Sequence, residues 1–197
     1  MMPWEHAAMG YVAFSLFVHA LYRDSPTARE TLVVVFASIL PDLIDKPLAW
    51  EFGVFEGGRA LGHSIFFAVP LSLAVLAIAM SRGVPRLGWA FAIGYLLHLP
   101  ADVFQSWMTG GEFSLHSILW PIGGSDSGHD GFTDGFVHNF IGYIEYLITE
   151  FAAGNPEPYA LMLLGMAVLT VALWVYDGMP VAAETVQYLR GLVGHSR

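Results

Sequence analysis

Five long apolar stretches separated by polar connections dominate the pattern of hydrophobic and polar positions along the chain. They cover residues 7–22, 32–50, 63–80, 87–107 and 159–176. A helix needs about 20 predominantly apolar residues to cross the hydrocarbon core of a bilayer, within a range of about 17–25. The pattern therefore predicts an all-α integral membrane protein with about five transmembrane helices, bundled around polar residues that interrupt the second and fourth spans.

Arginines mark three of the regions outside the spans. Arg23 and Arg29 flank the first connection, Arg82 and Arg86 flank the third, and Arg190 lies in the tail after the fifth span. Because basic residues are enriched in cytoplasmic loops, these regions are predicted to be cytoplasmic. We therefore expect a multi-pass protein of the cell membrane with its N-terminus outside and its C-terminus inside.

Six ionisable side chains fall in the outward halves of four spans, or directly beside them. They are His6, Asp42, Asp45, His63, His98 and Asp102. A buried ionisable group is costly unless it is paired or bound to a metal. His98 and Asp102 in HLPAD share one helix face, as do Asp42 and Asp45 in PDLID. Their gathering at one leaflet predicts a common site on the extracytoplasmic side.

The side chains of this predicted site are metal ligands by type. Three imidazoles and three carboxylates without cysteine suit zinc, manganese or iron. Six ligands are too many for one tetrahedral zinc ion but fit two metals about 3.5–4 Å apart. We therefore predict two divalent ions, with zinc ahead of manganese and iron, held by all six residues. Asp45 is also predicted to act as general base, and Arg59 to bind a phosphoryl oxygen.

Each motif also has a simpler interpretation. His98 and Asp102 taken alone could equally be a hydrogen-bonded pair that ties helices together. PDLID alone could be a helix end with solvated carboxylates, and His63 alone a surface histidine. A proton relay is another use of such residues, but its members would be distributed through the depth of the membrane. Placement at one leaflet favours metal binding.

The last part of the chain divides into a long connection and a final span. The predicted organisation is a four-helix membrane core with the ligand motifs at 1–107, an extramembrane segment at 108–158, and a fifth transmembrane helix with a cytoplasmic tail at 159–197. The connection begins with a Gly-, Ser- and Asp-rich stretch that is typical of a loop. Residues 136–151 are aromatic and apolar, which predicts an interfacial helix or a helix packed over the bundle.

Composition supports the membrane assignment and narrows the partners. Of 197 residues, 55% are hydrophobic and 13% are charged, and the mean hydropathy is +0.56. This is too apolar for an ordinary soluble domain. The formal net charge of −9 disfavours nucleic acid as a partner. A site at headgroup depth instead favours a phospholipid, a lipid-linked phosphate or a small phosphate ester.

Short motifs in the first 125 or so residues also resemble a known family. They are His6 in WEHAAMG, Asp42 and Asp45 in PDLIDK, Arg59 and His63 in GRALGHS, His98 and Asp102 in HLPAD, and Trp120 and Pro121 in LWP. Their order is similar to that in the YdjM-like family of membrane-bound metal-dependent hydrolases, often described as LexA-regulated. The resemblance implies hydrolysis by bound divalent metal at a membrane surface. Lys46 and Gly58 stand where the family pattern has histidines.

Together these features predict a membrane-embedded, metal-dependent phosphoesterase that acts on a lipid-linked phosphate or phospholipid through metal-activated water. The alternatives are a non-catalytic metal-binding membrane protein and an ion transporter. The inward segments 73–80 and 87–97 are almost wholly apolar, so they offer a transporter no polar path. Because Lys46 and Gly58 replace histidines of the family pattern, a further alternative is a family member that has lost catalysis and acts as a binding protein.

Overall fold

Helices account for the regular secondary structure in the parts of the chain that the structure covers. The computed structural model describes residues 2–123 and 132–194. Its helices are α1 (Pro3–Tyr22), α2 (Ala28–Trp50), α3 (Ile65–Ser81), α4 (Pro85–Met108), α5 (Phe132–Ala152), α6 (Pro158–Tyr176) and α7 (Ala182–Gly194). The predicted all-α class is confirmed, and a helix lies at each of the five predicted spans. Residues 124–131 of the predicted extramembrane segment lie outside the described ranges.

Two helices of the described residues, α4 and α6, are long and apolar enough to cross a membrane. The helix α3 is apolar but shorter. The prediction of about five crossings is therefore not confirmed, because α2, for example, combines Asp42, Asp45 and Lys46 with its apolar residues. The other crossings, and the division of the chain into three regions, stay predictions.

Helix α6 presents a broad apolar surface away from the rest of the protein. Its exposed side chains include Leu161, Leu164, Val168, Val171 and Val175. Contiguous apolar surface of this kind marks a site of interaction with protein or membrane. An apolar environment around α6 agrees with its length and composition.

The helices α1, α2 and α4 form the centre of the bundle, with α3 packed on α4 and α6 packed on α1. Phe14, Val18 and Val34 are fully buried between the central helices. Glycine permits their close approach, since a Cβ at Gly94 of α4 would lie 2.5 Å from the Val34 carbonyl oxygen of α2. A Cβ at Gly10 of α1 would overlap the Ser38 side chain. The backbone of α2 around residue 38 is thus within reach of side chains on its neighbours.

The start of α3 is fixed by Ser64. Its hydroxyl accepts a hydrogen bond from the Phe66 backbone N–H at 3.2 Å and donates to the Trp120 carbonyl oxygen at 2.6 Å. An N-cap of this kind satisfies an amide that the helix leaves without a partner. Because α3 begins at Ile65, His63 lies in the segment 51–64 before the helix, not within the third span as predicted.

A second polar cluster ties α1 to the end of α6. Asp177 accepts hydrogen bonds from Tyr11 at 2.6 Å and Ser15 at 2.8 Å, and its carboxylate lies 2.6 Å from His19 Nε2. Tyr11, Ser15 and His19 follow one another at intervals of four residues, so they share one face of α1. His19 is 13 residues along α1 from His6, or about 20 Å at the helical rise. The cluster thus fastens the bundle at the end remote from His6.

We expect Asp177→Asn to lower the thermal stability of the protein in detergent. A hydrogen bond to a charged group contributes about 1.5–3 kcal/mol, and the amide would weaken several at once. The measurement is the midpoint of thermal unfolding, with Asp24→Asn as a control. Asp24 is an exposed carboxylate whose hydrogen bond from Arg86 lowers its pKa. Equal shifts of the unfolding midpoint in the two variants would show that the Asp177 cluster stabilises the protein no more than an exposed ion pair does.

Candidate metal centre

The six predicted ligand residues come together in one buried cluster. His6 is supplied by the first turns of α1, Asp42 and Asp45 by α2, and His63 by the segment before α3. His98 and Asp102 come from successive turns of α4. All six side chains are buried. Residues that are up to 96 positions apart in the chain therefore share one site, as the topology predicted.

Two imidazoles face each other at the centre of the cluster. His98 Nδ1 lies 2.6 Å from the Ser38 carbonyl oxygen, and His63 Nδ1 lies 2.8 Å from Asp45 Oδ2. Both partners are acceptors, so each Nδ1 carries the proton and, in a neutral ring, each Nε2 has a bare lone pair. The two Nε2 atoms are only 3.0 Å apart. Two lone pairs at this distance repel each other, so either a proton on one ring or a metal ion must lie between or beside them.

Carboxylate oxygens complete the group around the two nitrogens. Asp42 Oδ1 lies 3.5 Å from His63 Nε2 and 3.9 Å from His98 Nε2. Asp102 Oδ2 lies 3.5 and 3.8 Å from the same two atoms. Ligands of a tetrahedral zinc ion, bound at about 2.0–2.1 Å, are about 3.3 Å from one another. The donor set therefore fits a divalent ion, which would contact two nitrogens and two carboxylate oxygens at once.

Two overlapping groups of side chains in the described residues could hold an ion. One consists of Asp42, His63 and His98, the other of His6, His98 and Asp102. Both use His98, and because its Nδ1 is bound to a backbone carbonyl, only Nε2 remains as a ligand. One lone pair binds one ion, so the two groups cannot both use it. A second ion would depend on His6 Nε2 and Asp102 Oδ1, which lie 3.1 Å apart.

The surroundings of Asp45 differ from those of the other five predicted ligands. Its carboxylate accepts hydrogen bonds from the backbone N–H groups of Ala60, Gly62 and His63 at 2.7, 2.7 and 3.1 Å, and from His63 Nδ1. It is fully buried behind His63 and belongs to neither possible metal group. The geometry favours a carboxylate that fixes the segment before α3 and orients the His63 ring.

Gly62 allows the segment before α3 to approach α2 this closely. A Cβ at Gly62 would lie 2.8 Å from the Pro41 carbonyl oxygen and 3.2 Å from Asp45 Oδ1. Real Cβ contacts are essentially never as short as the first of these distances. Gly62 is thus required for the hydrogen bonds that Asp45 makes with this segment.

Two cationic side chains flank the centre. Lys46 Nζ lies 2.7 Å from Asp42 Oδ2, and Arg59 Nε lies 3.0 Å from Asp102 Oδ2. The position of Arg59 beside the ligands was predicted. In the sequence Lys46 stands out only as a departure from a family pattern, but its position four residues after Asp42 is a signal for this pairing. Ser38 was missed because its backbone oxygen, not its side chain, binds His98.

Comparison with known proteins identifies a family. A family model described as YdjM inner membrane protein matches residues 1–181 of the chain. No curated protein and no solved structure matches. The matched range contains α1 to α6, and therefore every residue of the centre described above.

Proposed function

Because the chain belongs to the YdjM family of inner membrane proteins, we propose that it is a membrane-embedded, metal-dependent hydrolase of phosphoric esters. The observation that carries the proposal is the pair of imidazole Nε2 atoms, 3.0 Å apart, with both Nδ1 atoms engaged by acceptors. Two carboxylates flank the pair and two cations flank the carboxylates. This is a donor set for a metal, with positive groups beside it for an anionic substrate.

His63, His98, Asp42 and Asp102 would hold the divalent ion, with zinc preferred and manganese or iron as alternatives. When bound, such an ion supplies Lewis-acid chemistry and activates water for attack on a phosphorus ester. The second ion of the sequence prediction would be held by His6 and Asp102, because His98 Nε2 serves only the first.

The other residues of the centre would bind the substrate, orient the His63 ligand and stabilise developing charge. Arg59 would hold a phosphoryl oxygen through its planar guanidinium and stabilise the charge that develops there. Asp45 keeps the His63 ring in the tautomer whose Nε2 faces the ligand group. Because Asp45 is enclosed by its own donors, the general-base role passes to Asp42 or Asp102, the two carboxylates that face the group.

We place the centre at headgroup depth on the extracytoplasmic side of a multi-pass protein, with a lipid-linked phosphate or a phospholipid as substrate. Exposed aromatic side chains near the ligands support this depth. Trp4 is two residues before His6, while Phe104 and Trp107 follow Asp102 on α4, and all three are exposed. Tryptophan is enriched where the bilayer meets water.

Arg59→Gln is expected to lower kcat for phosphate release by about 10²–10³-fold, the usual effect of removing one charge-stabilising donor. The assay uses purified protein in detergent, loaded with zinc or manganese, acting on short-chain phosphatidate in mixed micelles. Chelation should abolish release and added metal should restore it. Arg82→Gln, at the exposed C-terminal end of α3, is the matched control.

The competing function is metal binding without catalysis. It predicts stoichiometric metal in the purified protein but no release of phosphate from any ester tested, with or without Arg59. That combination would contradict the hydrolase proposal while leaving the metal centre intact. Absence of metal would contradict both.

A further inference from the structure

We propose that Lys46 and Arg59 together form an anion-binding edge of the metal centre that selects phosphate monoesters over diesters. The inference rests on the proposed function and narrows its substrate class. It assigns Lys46, which the sequence pattern marks only as a departure, a direct role in binding substrate.

The two cations are placed on different carboxylates of the same centre. Asp42 turns Oδ1 to the imidazole pair and Oδ2 to Lys46. Asp102 shares Oδ2 between the imidazole pair and Arg59. The ammonium and the guanidinium therefore each contact a carboxylate that also faces the imidazole pair.

These cations are also the accessible part of the centre. The Lys46 and Arg59 side chains are 26% and 30% exposed, whereas those of Asp42 and Asp102 are 8% and 7% exposed. The imidazoles of His63 and His98 are more deeply buried still. The more exposed side chains of the centre therefore carry positive charge.

Neighbouring groups restrict the position of the Lys46 side chain. Its ammonium lies 5.9 Å from the centroid of the Trp50 ring, a cation–π distance. The segment before α3 crosses over this pair, since a Cβ at Gly58 would lie 3.1 Å from the Trp50 ring and 3.5 Å from Lys46 Cγ. A charge held in this way loses little side-chain entropy when an anion binds.

The charges of the centre favour an anion with several acceptor oxygens. Asp42, Asp45 and Asp102 carry three negative charges, while a divalent ion, Lys46 and Arg59 together carry four positive ones. A phosphate monoester has three terminal oxygens and up to two negative charges, so it offers one acceptor oxygen to the ion and one to each of the two side chains. A diester has two terminal oxygens and one charge, so it has no terminal oxygen for at least one of these three groups.

The test measures binding of inorganic phosphate and of dimethyl phosphate to metal-loaded protein freed of excess metal, by ³¹P NMR titration in detergent. In the wild type we expect phosphate to bind at least tenfold more tightly than dimethyl phosphate. Lys46→Met should weaken phosphate binding about tenfold at unchanged metal content, and leave dimethyl phosphate little changed. Lys46→Arg should restore most of the loss, and Arg82→Met should behave as wild type.

Equal affinity of the wild type for the two probes would overturn the proposal, and this comparison needs no variant to fold. Unchanged phosphate affinity in Lys46→Met with metal bound would also overturn it, with the hydrolase proposal left standing. Loss of phosphate binding in Lys46→Met and recovery in Lys46→Arg would support it. A wild type without metal would remove the basis of both proposals.

Discussion

His98→Ala is expected to remove stoichiometric metal from the purified protein. His98 is the residue that both possible ligand groups share, and its Nε2 lies 3.0 Å from His63 Nε2. The ring is held by the Ser38 carbonyl and is almost fully buried, so no other side chain can take its place. Loss of a supporting residue behind a ligand already costs about 10–100-fold in metal affinity. Loss of a direct ligand should exceed that range.

The measurement is elemental mass spectrometry of wild type and variant purified side by side, with His116→Ala as the matched control. His116 is an exposed histidine whose Nδ1 lies 3.0 Å from the Gly123 carbonyl oxygen, in the segment after α4. We expect metal in the wild type and in His116→Ala, and none in His98→Ala. Two ions per wild-type chain would show that His6 and Asp102 hold another. A metal-free wild type, with His98→Ala merely less stable, would show that the imidazoles form a packing pair.

The convergence of the ligand residues was predictable because it follows from helix geometry and span order. A spacing of four places His98 and Asp102 on one face of α4, and a spacing of three does the same for Asp42 and Asp45 on α2. Apolar stretches of similar length fix the depth of these residues along the bundle. Neither step needs knowledge of the loops, and the structure brings all of these side chains together.

The different surroundings of Asp42 and Asp45 could not be predicted from the sequence. Asp42 and Asp45 look equivalent in PDLID, but the segment 60–63 folds back with three backbone N–H groups aimed at Asp45 alone. Backbone donors leave no signature in side-chain spacing. The same holds for the Ser38 carbonyl, which reaches His98 because Gly10 and Gly94 let the helices approach.

The number of membrane crossings also cannot be determined from the length of the apolar stretches alone. The helix α2 lies where the second span was predicted, but its Asp42 and Asp45 side chains are buried within the bundle. Lys46 forms an ion pair with Asp42, so two of the charges on this helix neutralise each other within the protein. Composition alone therefore does not decide whether a helix of this kind crosses a membrane.

Asp45→Asn is expected to weaken metal binding by about 10–100-fold without changing the metal's ligands. Three of the four hydrogen bonds to Asp45 reach Oδ2, so we expect the amide to place its oxygen there and its NH₂ group toward the Gly62 N–H. Gly62 then loses its acceptor, and the Nδ1 proton of His63 is bound by a neutral oxygen instead of a carboxylate, so the ring is held less firmly in the orientation that presents Nε2 to the ligand group. The affinity is measured by competition with a chelator, and the ligand set by the visible spectrum of the cobalt-substituted protein.

The control for this prediction is Asp177→Asn, which also removes a buried carboxylate that accepts several hydrogen bonds but lies at the remote end of the bundle. It should lower stability and leave metal affinity unchanged, which separates loss of fold from loss of orientation. A cobalt spectrum that changes in Asp45→Asn, with metal loss as complete as in His98→Ala, would mean that Asp45 is itself a ligand, as the sequence predicted. An unchanged spectrum with weaker binding would mean that Asp45 acts through His63, because only the orientation of that ring differs between the two proteins.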